Sequence, residues 1–131
     1  MADWSVCSPE KLMSEAGKYR QMAYVPYSEF SVGAALLFSD GSVIGGCNVE
    51  NASYGLSICA ERAAMLNAVV TGRLRPIAAA VYAGDVPICS PCGACRQFLA
   101  EFNHDMEIVM MKSGELFIAS LSELLPHKFS L

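Results

Sequence analysis

Runs of one charge are missing from this sequence. Nine Lys and Arg stand against thirteen Asp and Glu, for a net charge of −4, and no basic cluster forms the stripe that tracks a phosphate backbone. A nucleic-acid partner is therefore not expected. Gly/Ser-rich and Pro-rich linkers are also lacking in the 131 residues, so one domain over 1–131, with one core, is expected. The longest apolar runs, Val32–Phe38 and Ile77–Ala83, are far short of the ~18 residues of a membrane span, which sets membrane insertion aside. Met1-Ala2-Asp3-Trp4-Ser5 shows no basic segment followed by an apolar one, as a secretory leader would. The expected location is cytoplasmic, where six cysteines serve as free thiols or metal ligands rather than disulfides. Histidine is scarce, and His104 and His127 have no metal-ligand spacing to anything.

Apolar residues, by contrast, are plentiful at 53%. A monomer of this size buries only roughly two-thirds of the surface its unfolded chain exposes, so association of like chains is the expected sink for the excess. Ser8-Pro9-Glu10 starts a helix that must stop before Pro26, with Leu12, Ala16, Tyr19 and Ala23 at helical spacing. Ser31–Ser39 and Ser42–Cys47 flank Asp40-Gly41 and read as a β-hairpin. Cys59–Val70 reads as a buried helix closed by Gly72, and Ile77–Ala83 as a buried strand. A third helix over Pro91–Phe102, a strand at Glu107–Lys112, a turn at Ser113-Gly114, a strand at Leu116–Ala119 and a short helix from Ser120 to Pro126 complete the order. The expectation is an α/β three-layer sandwich, one mixed five-stranded sheet flanked by helices.

Chemistry concentrates in Cys59-Ala60-Glu61 and, thirty residues after Glu61, Pro91-Cys92-Gly93-Ala94-Cys95. A catalytic zinc takes three protein ligands and leaves the fourth position for water, an arithmetic that three thiolates meet. The pattern of Cys or His two residues before a Glu, with P-C-x-x-C downstream, is the zinc-deaminase pattern itself. Both motifs open helices, whose positive ends favour thiolate. Arg62 and Arg96 are candidates to offset the negative charge of the site by hydrogen bonding to sulfur. Glu61, in the apolar stretch Ile58–Leu66, is placed to take a proton from the acidified water. An iron–sulfur run on Cys89, Cys92 and Cys95 lacks its fourth cysteine before proline. A redox dithiol would need neither Cys59 nor Glu61, and a closed structural zinc site would need Cys47 or Cys89 as a fourth ligand.

At these residues the sequence closely resembles the small homotetrameric cytidine deaminase family, from about Glu10 to Phe129. The match includes Ala23-Tyr24-Val25-Pro26-Tyr27-Ser28-Glu29-Phe30, Val32-Gly33-Ala34-Ala35-Leu36, Gly46-Cys47-Asn48-Val49-Glu50-Asn51-Ala52-Ser53-Tyr54 and Glu123-Leu124-Leu125-Pro126. The resemblance implies hydrolytic deamination of cytidine and deoxycytidine to uridine and deoxyuridine in pyrimidine salvage, with one zinc per subunit on Cys59, Cys92 and Cys95 and with Glu61 moving protons. It further implies Asn48 and Glu50 on the ribose hydroxyls, Phe30 against the pyrimidine, and the Ala60 N–H and Ser90 carbonyl reading the base. Tyr27 and Tyr54 are implied to line the site or the subunit boundary, and Phe129 to reach a neighbouring subunit's site in a tetramer with shared active sites. Cys89 stands where relatives commonly carry an aliphatic residue. Two other readings of the motifs are a deaminase of a cytosine nucleoside antibiotic and a non-catalytic zinc-stabilised binding module.

Overall fold

Local chemistry sets the element boundaries. The Ser8 side chain accepts the Lys11 N–H and Pro9 supplies the fixed φ of a first turn, so helix α1 runs Pro9–Arg20. The Asp40 carboxylate accepts from the Ser42 N–H and hydroxyl while Gly41 takes φ 86, a turn glycine makes without steric cost. That turn joins strands β1 (Gly33–Leu37) and β2 (Val43–Cys47) as the anticipated hairpin. In the computed structural model, which describes residues 2–131, there follow α2 (Ala60–Val70), β3 (Ala78–Tyr82), α3 (Gly93–Asn103), β4 (Glu107–Lys112), β5 (Glu115–Ser120) and α4 (Leu121–Leu124). Ser120 and Glu123 close α4 with a reciprocal capping box. The elements are those expected from the sequence, apart from an unanticipated turn of 3-10 helix at Tyr54–Leu56 and an α1 that stops at Arg20, short of Ala23. The one systematic difference lies at the two cysteine motifs, where Cys59 and Cys92 stand just outside their helices as N-caps and Pro91 precedes α3 rather than opening it.

The sheet order is β2-β1-β3-β4-β5. Only β3 and β4 are parallel, joined by α3 as a crossover, and the other neighbours are antiparallel. Every residue of β1 is buried, as a strand covered on both faces must be. Alternation divides its side chains: Ala34 and Leu36 join Ala64, Met65, Leu99 and Ile108 in one core, while Ala35 and Leu37 join Leu12, Ala16 and Val109 in the other. Helix α1 covers one face, and α2 with α3 covers the other.

Register fixes where function can sit. Gly33, the first residue of β1, lies opposite both Cys47, the last of β2, and Tyr82, the last of β3. One edge of the sheet therefore gathers the segment before β1, the segment between β2 and α2, and the segment between β3 and α3. Helix α2 lies unusually close to this edge, because a Cβ on Gly46 would stand 2.4 Å from the Ala64 nitrogen and 2.9 Å from the Ala60 carbonyl oxygen. Replacing Gly46 by Ala forces α2 off the sheet and is expected to cost about 1–3 kcal/mol, seen as a lowered melting temperature. Gly55→Ala, where an added Cβ meets nothing within 4 Å, is the control expected to melt like the parent.

Candidate metal centre and substrate cavity

Three sulfurs meet where α2 and α3 begin. Cys59 caps α2, Cys92 caps α3, and Cys95 lies in the first turn of α3. Neither cap cysteine's side chain bonds a backbone N–H of its own helix's first turn, so both sulfurs are free to face each other at the positive ends of the two helices. The Cys59 and Cys92 sulfurs are 3.9 Å apart, and all three ligand atoms lie within 4.8 Å of one another. Two thiolates each about 2.3 Å from a tetrahedral zinc stand roughly 3.8 Å apart, so the spacing suits one such ion. Among the described residues this is the one group of metal-ligating side chains so gathered. Cys47 and Cys89, the only candidates for a fourth thiolate, stay outside it.

The surroundings fit a cation held by sulfur. A hydrogen bond from Cys95, with others from Arg62 and Cys92, draws the Cys59 thiol down to about 5. Cys95, which keeps the proton it donates to Cys59, is correspondingly raised. Arg62 Nη2 lies 3.6 Å from Cys59 Sγ, and its Nε is buried with no hydrogen-bond partner, oxygen or sulfur, among the described residues. A buried donor without a partner is costly, and the hydrogen bond to Cys59 together with the charge of the nearby Cys59 and Cys95 sulfurs on the guanidinium, which raise the Arg62 pKa, offsets part of that cost. Glu61 is 4% exposed. Burial pushes its carboxyl up to about 7, with the charge on Cys59 adding to the shift, so it lies in the range where a group both accepts and returns a proton near neutral pH.

Arg96 departs from expectation. Its guanidinium makes no bond to sulfur and instead donates to the Pro91 carbonyl (2.8 Å), the Leu124 carbonyl (2.8 Å) and Ser90 Oγ (2.8 Å). All three guanidinium nitrogens donate to oxygen acceptors, so Arg96 ties the loop before Cys92 to α4.

Two neighbouring cavities open beside the sulfurs. One, of about 250 Å³, is lined by Phe30, Val32, Asn48, Cys59, Ala60, Glu61, Val81, Cys89, Ser90 and Cys92. The other, of about 390 Å³, is lined by Tyr27, Ser28, Asn48, Glu50, Asn51, Tyr54, Ser57, Ile58 and Cys59. Asn48 and Cys59 line both. The Asn48 amide accepts the Val32 N–H (2.9 Å) and donates to the Phe30 carbonyl (2.8 Å), while Glu50 Oε1 accepts the Tyr27 and Ser28 N–H groups at 3.0 and 3.1 Å. The segment before β1 is thereby stitched to the segment after β2. Phe129 lines neither cavity. It is 69% exposed, and its backbone is held by the Gln97 side chain on α3.

Sequence reasoning gathered Phe30, Asn48, Glu50, Tyr54, Ala60 and Ser90 at these cavities, and the structure brings all six there. It did not single out Val32, Asn51, Ser57, Ile58 or Val81. For Val81, its place near the end of a buried strand was the available signal; the others stand in loops whose approach to the sulfurs depends on strand register.

A family profile described as the cytidine and deoxycytidylate deaminase zinc-binding region matches residues 7–112. The chain is 47% identical over 123 residues to a cytidine deaminase of Sporosarcina psychrophila, covering 92% of this chain and 90% of that one. It is 49% identical over 123 residues to a cytidine deaminase of Halalkalibacterium halodurans, covering 92% and 93%. The crystal structure of cytidine deaminase from Burkholderia pseudomallei superposes with a TM-score of 0.87 at 44% identity, covering 92% of this chain and 98% of that one. Replacing Arg62 by Gln removes the cation beside Cys59 and is expected to weaken zinc binding at least several-fold in competition with a chromogenic chelator. Unchanged zinc affinity would exclude Arg62 from the metal's charge balance.

Proposed function

This chain belongs to the cytidine deaminase family, and from that premise we propose that it hydrolyses free cytidine and deoxycytidine to the corresponding uridines, releasing ammonia, within pyrimidine salvage. The observation that carries the assignment of roles is the placement of a buried carboxylate, Glu61, directly beside three converging cysteine sulfurs. Cys59, Cys92 and Cys95 would hold one zinc ion, which would supply an acidified water as the nucleophile. Glu61 takes one proton from the attacking water and delivers it to the ring nitrogen of the pyrimidine, then takes the second from the added hydroxyl as the new carbonyl forms and passes it to the departing amine, which leaves as ammonia. The Ala60 N–H and the Ser90 carbonyl read the base, and Phe30 lies against it in the smaller cavity. Asn48 and Glu50 bind the sugar hydroxyls in the larger one. Arg62 balances charge at sulfur, and Arg96 acts at one remove by holding the Ser90-Pro91 loop.

Charge separates nucleoside from nucleotide. The two cavities present Glu50 and Glu61 and no Lys or Arg, so a 5′-phosphate would meet a carboxylate with no cation to receive it. The Asn48 and Glu50 pair likewise favours a ribosyl substrate over a cytosine nucleoside antibiotic. Exposed apolar side chains, among them Leu56, Leu66, Tyr54 and Val70, the last 87% exposed, fit a homotetramer with shared active sites in which Phe129 reaches a neighbouring site. Sedimentation at the mass of four chains is the expected result, and a monomer would contradict it.

The direct test follows the ultraviolet absorbance of cytidine and cytidine 5′-monophosphate with zinc-loaded protein. Cytidine is expected to turn over and the monophosphate not. Glu61→Gln is expected to keep its zinc and lose nearly all turnover, at least about 100-fold. Retained turnover in that zinc-loaded variant would overturn the role of Glu61.

A further inference from the structure

We propose that Ser28 is a positioning residue for sugar recognition: its hydroxyl fixes Glu50 in the orientation that accepts a sugar hydroxyl. The proposal rests on the reading of the larger cavity as the sugar site of a cytidine deaminase. Ser28 Oγ bonds Glu50 Oε2 and also accepts the Phe30 N–H at 3.0 Å. An ionised carboxylate only accepts, so the single hydroxyl proton of Ser28 is committed to Glu50 and a lone pair remains for Phe30.

The acceptor count on Glu50 gives this bond its consequence. Oε1 already takes two backbone N–H groups, from Tyr27 and Ser28, while Oε2 takes the Ser28 hydroxyl alone. The acceptor position left open is on Oε2, and the Ser28 bond sets the direction in which it faces. Hydrogen bonding from Ser28 also lowers the Glu50 pKa, keeping the carboxylate in its accepting form.

Between Ser28 and Phe30 the chain passes through Glu29 at φ 58, a left-handed conformation that non-glycine residues seldom adopt without support. The Glu29 N–H reaches back to the Val25 carbonyl at 3.0 Å, and the Ser28 hydroxyl anchors the far side at Phe30.

The test compares parent, Ser28→Ala and Ser28→Thr proteins for cytidine turnover and for inhibition by uridine and by 2′,3′-dideoxyuridine, which lacks the hydroxyls that Glu50 would hold. For Ser28→Ala, the KM for cytidine and the inhibition constant for uridine are expected to rise about five- to tenfold. Its kcat and its inhibition constant for dideoxyuridine are expected to stay within about twofold of the parent. Ser28→Thr, which keeps the hydroxyl, restores the parent values. Placed on a Glu50→Ala background, where no acceptor remains for the Ser28 hydroxyl, Ser28→Ala adds nothing further to uridine binding. Equal weakening of uridine and dideoxyuridine, or a fall in kcat at unchanged KM, would overturn the proposal. Should Ser28→Ala not fold, Ser28→Cys, of similar shape but a weak donor, reads the same ratio. A parent protein inert toward cytidine would instead refute the assigned activity, so the two failures are distinguishable.

Discussion

Three cysteine sulfurs within 4.8 Å of one another are the constraint on which the rest of the structure depends. Thiolates repel one another, and these come from positions 59, 92 and 95, on two helices separated by a strand. The fold meets the constraint by starting both helices at the same edge of the sheet. The antiparallel pairing of β1 with β2 and β3 brings Cys47, Gly33 and Tyr82 level, so the chain leaves β2 and β3 in the same direction and enters α2 and α3 side by side. The missing side chain at Gly46 lets α2 come close enough for Cys59 to reach Cys92. Two helix dipoles and the Arg62 guanidinium then offset part of the negative charge.

The same convergence makes a reactive site rather than a structural knot. Glu61 follows Cys59 by two residues, so the α2 N-terminus that delivers a sulfur also delivers a carboxylate to the cavity wall. Burial keeps that carboxyl titrating near neutrality. Glu50, in contrast, is only half-buried and is held ionised by the Ser28 hydroxyl and nearby N–H groups. One carboxylate is suited to moving protons and the other to accepting hydrogen bonds, and burial and hydrogen bonding account for the difference.

Much of this was legible before any coordinates. Strand and helix identities followed from apolar periodicity and from local stops such as Asp40-Gly41, Gly72 and Pro126, because those signals are confined to a few neighbouring residues. The zinc ligands and Glu61 were legible because spacing and residue chemistry agree. What depended on register was not. Arg96 sits next to Cys95 in sequence, which suggested a bond to sulfur, yet its side chain runs to Pro91, Ser90 and Leu124. Nothing near Arg96 announces that a loop and α4 will offer it three oxygens. Ser28 was visible only as a letter in a matching segment, since its partner Glu50 lies 22 residues away. The N-cap placement of Cys59 and Cys92, inside the anticipated helices but just outside the observed ones, is the kind of boundary detail that cap geometry rather than pattern decides.

The metal's coordination shell tests the central claim most directly. X-ray absorption at the zinc edge of the loaded protein is expected to show three sulfurs at about 2.3 Å and one lighter atom, the open position that catalysis requires. A fourth sulfur, recruited from Cys47 or Cys89, would close the site and contradict the account, leaving a structural zinc in its place.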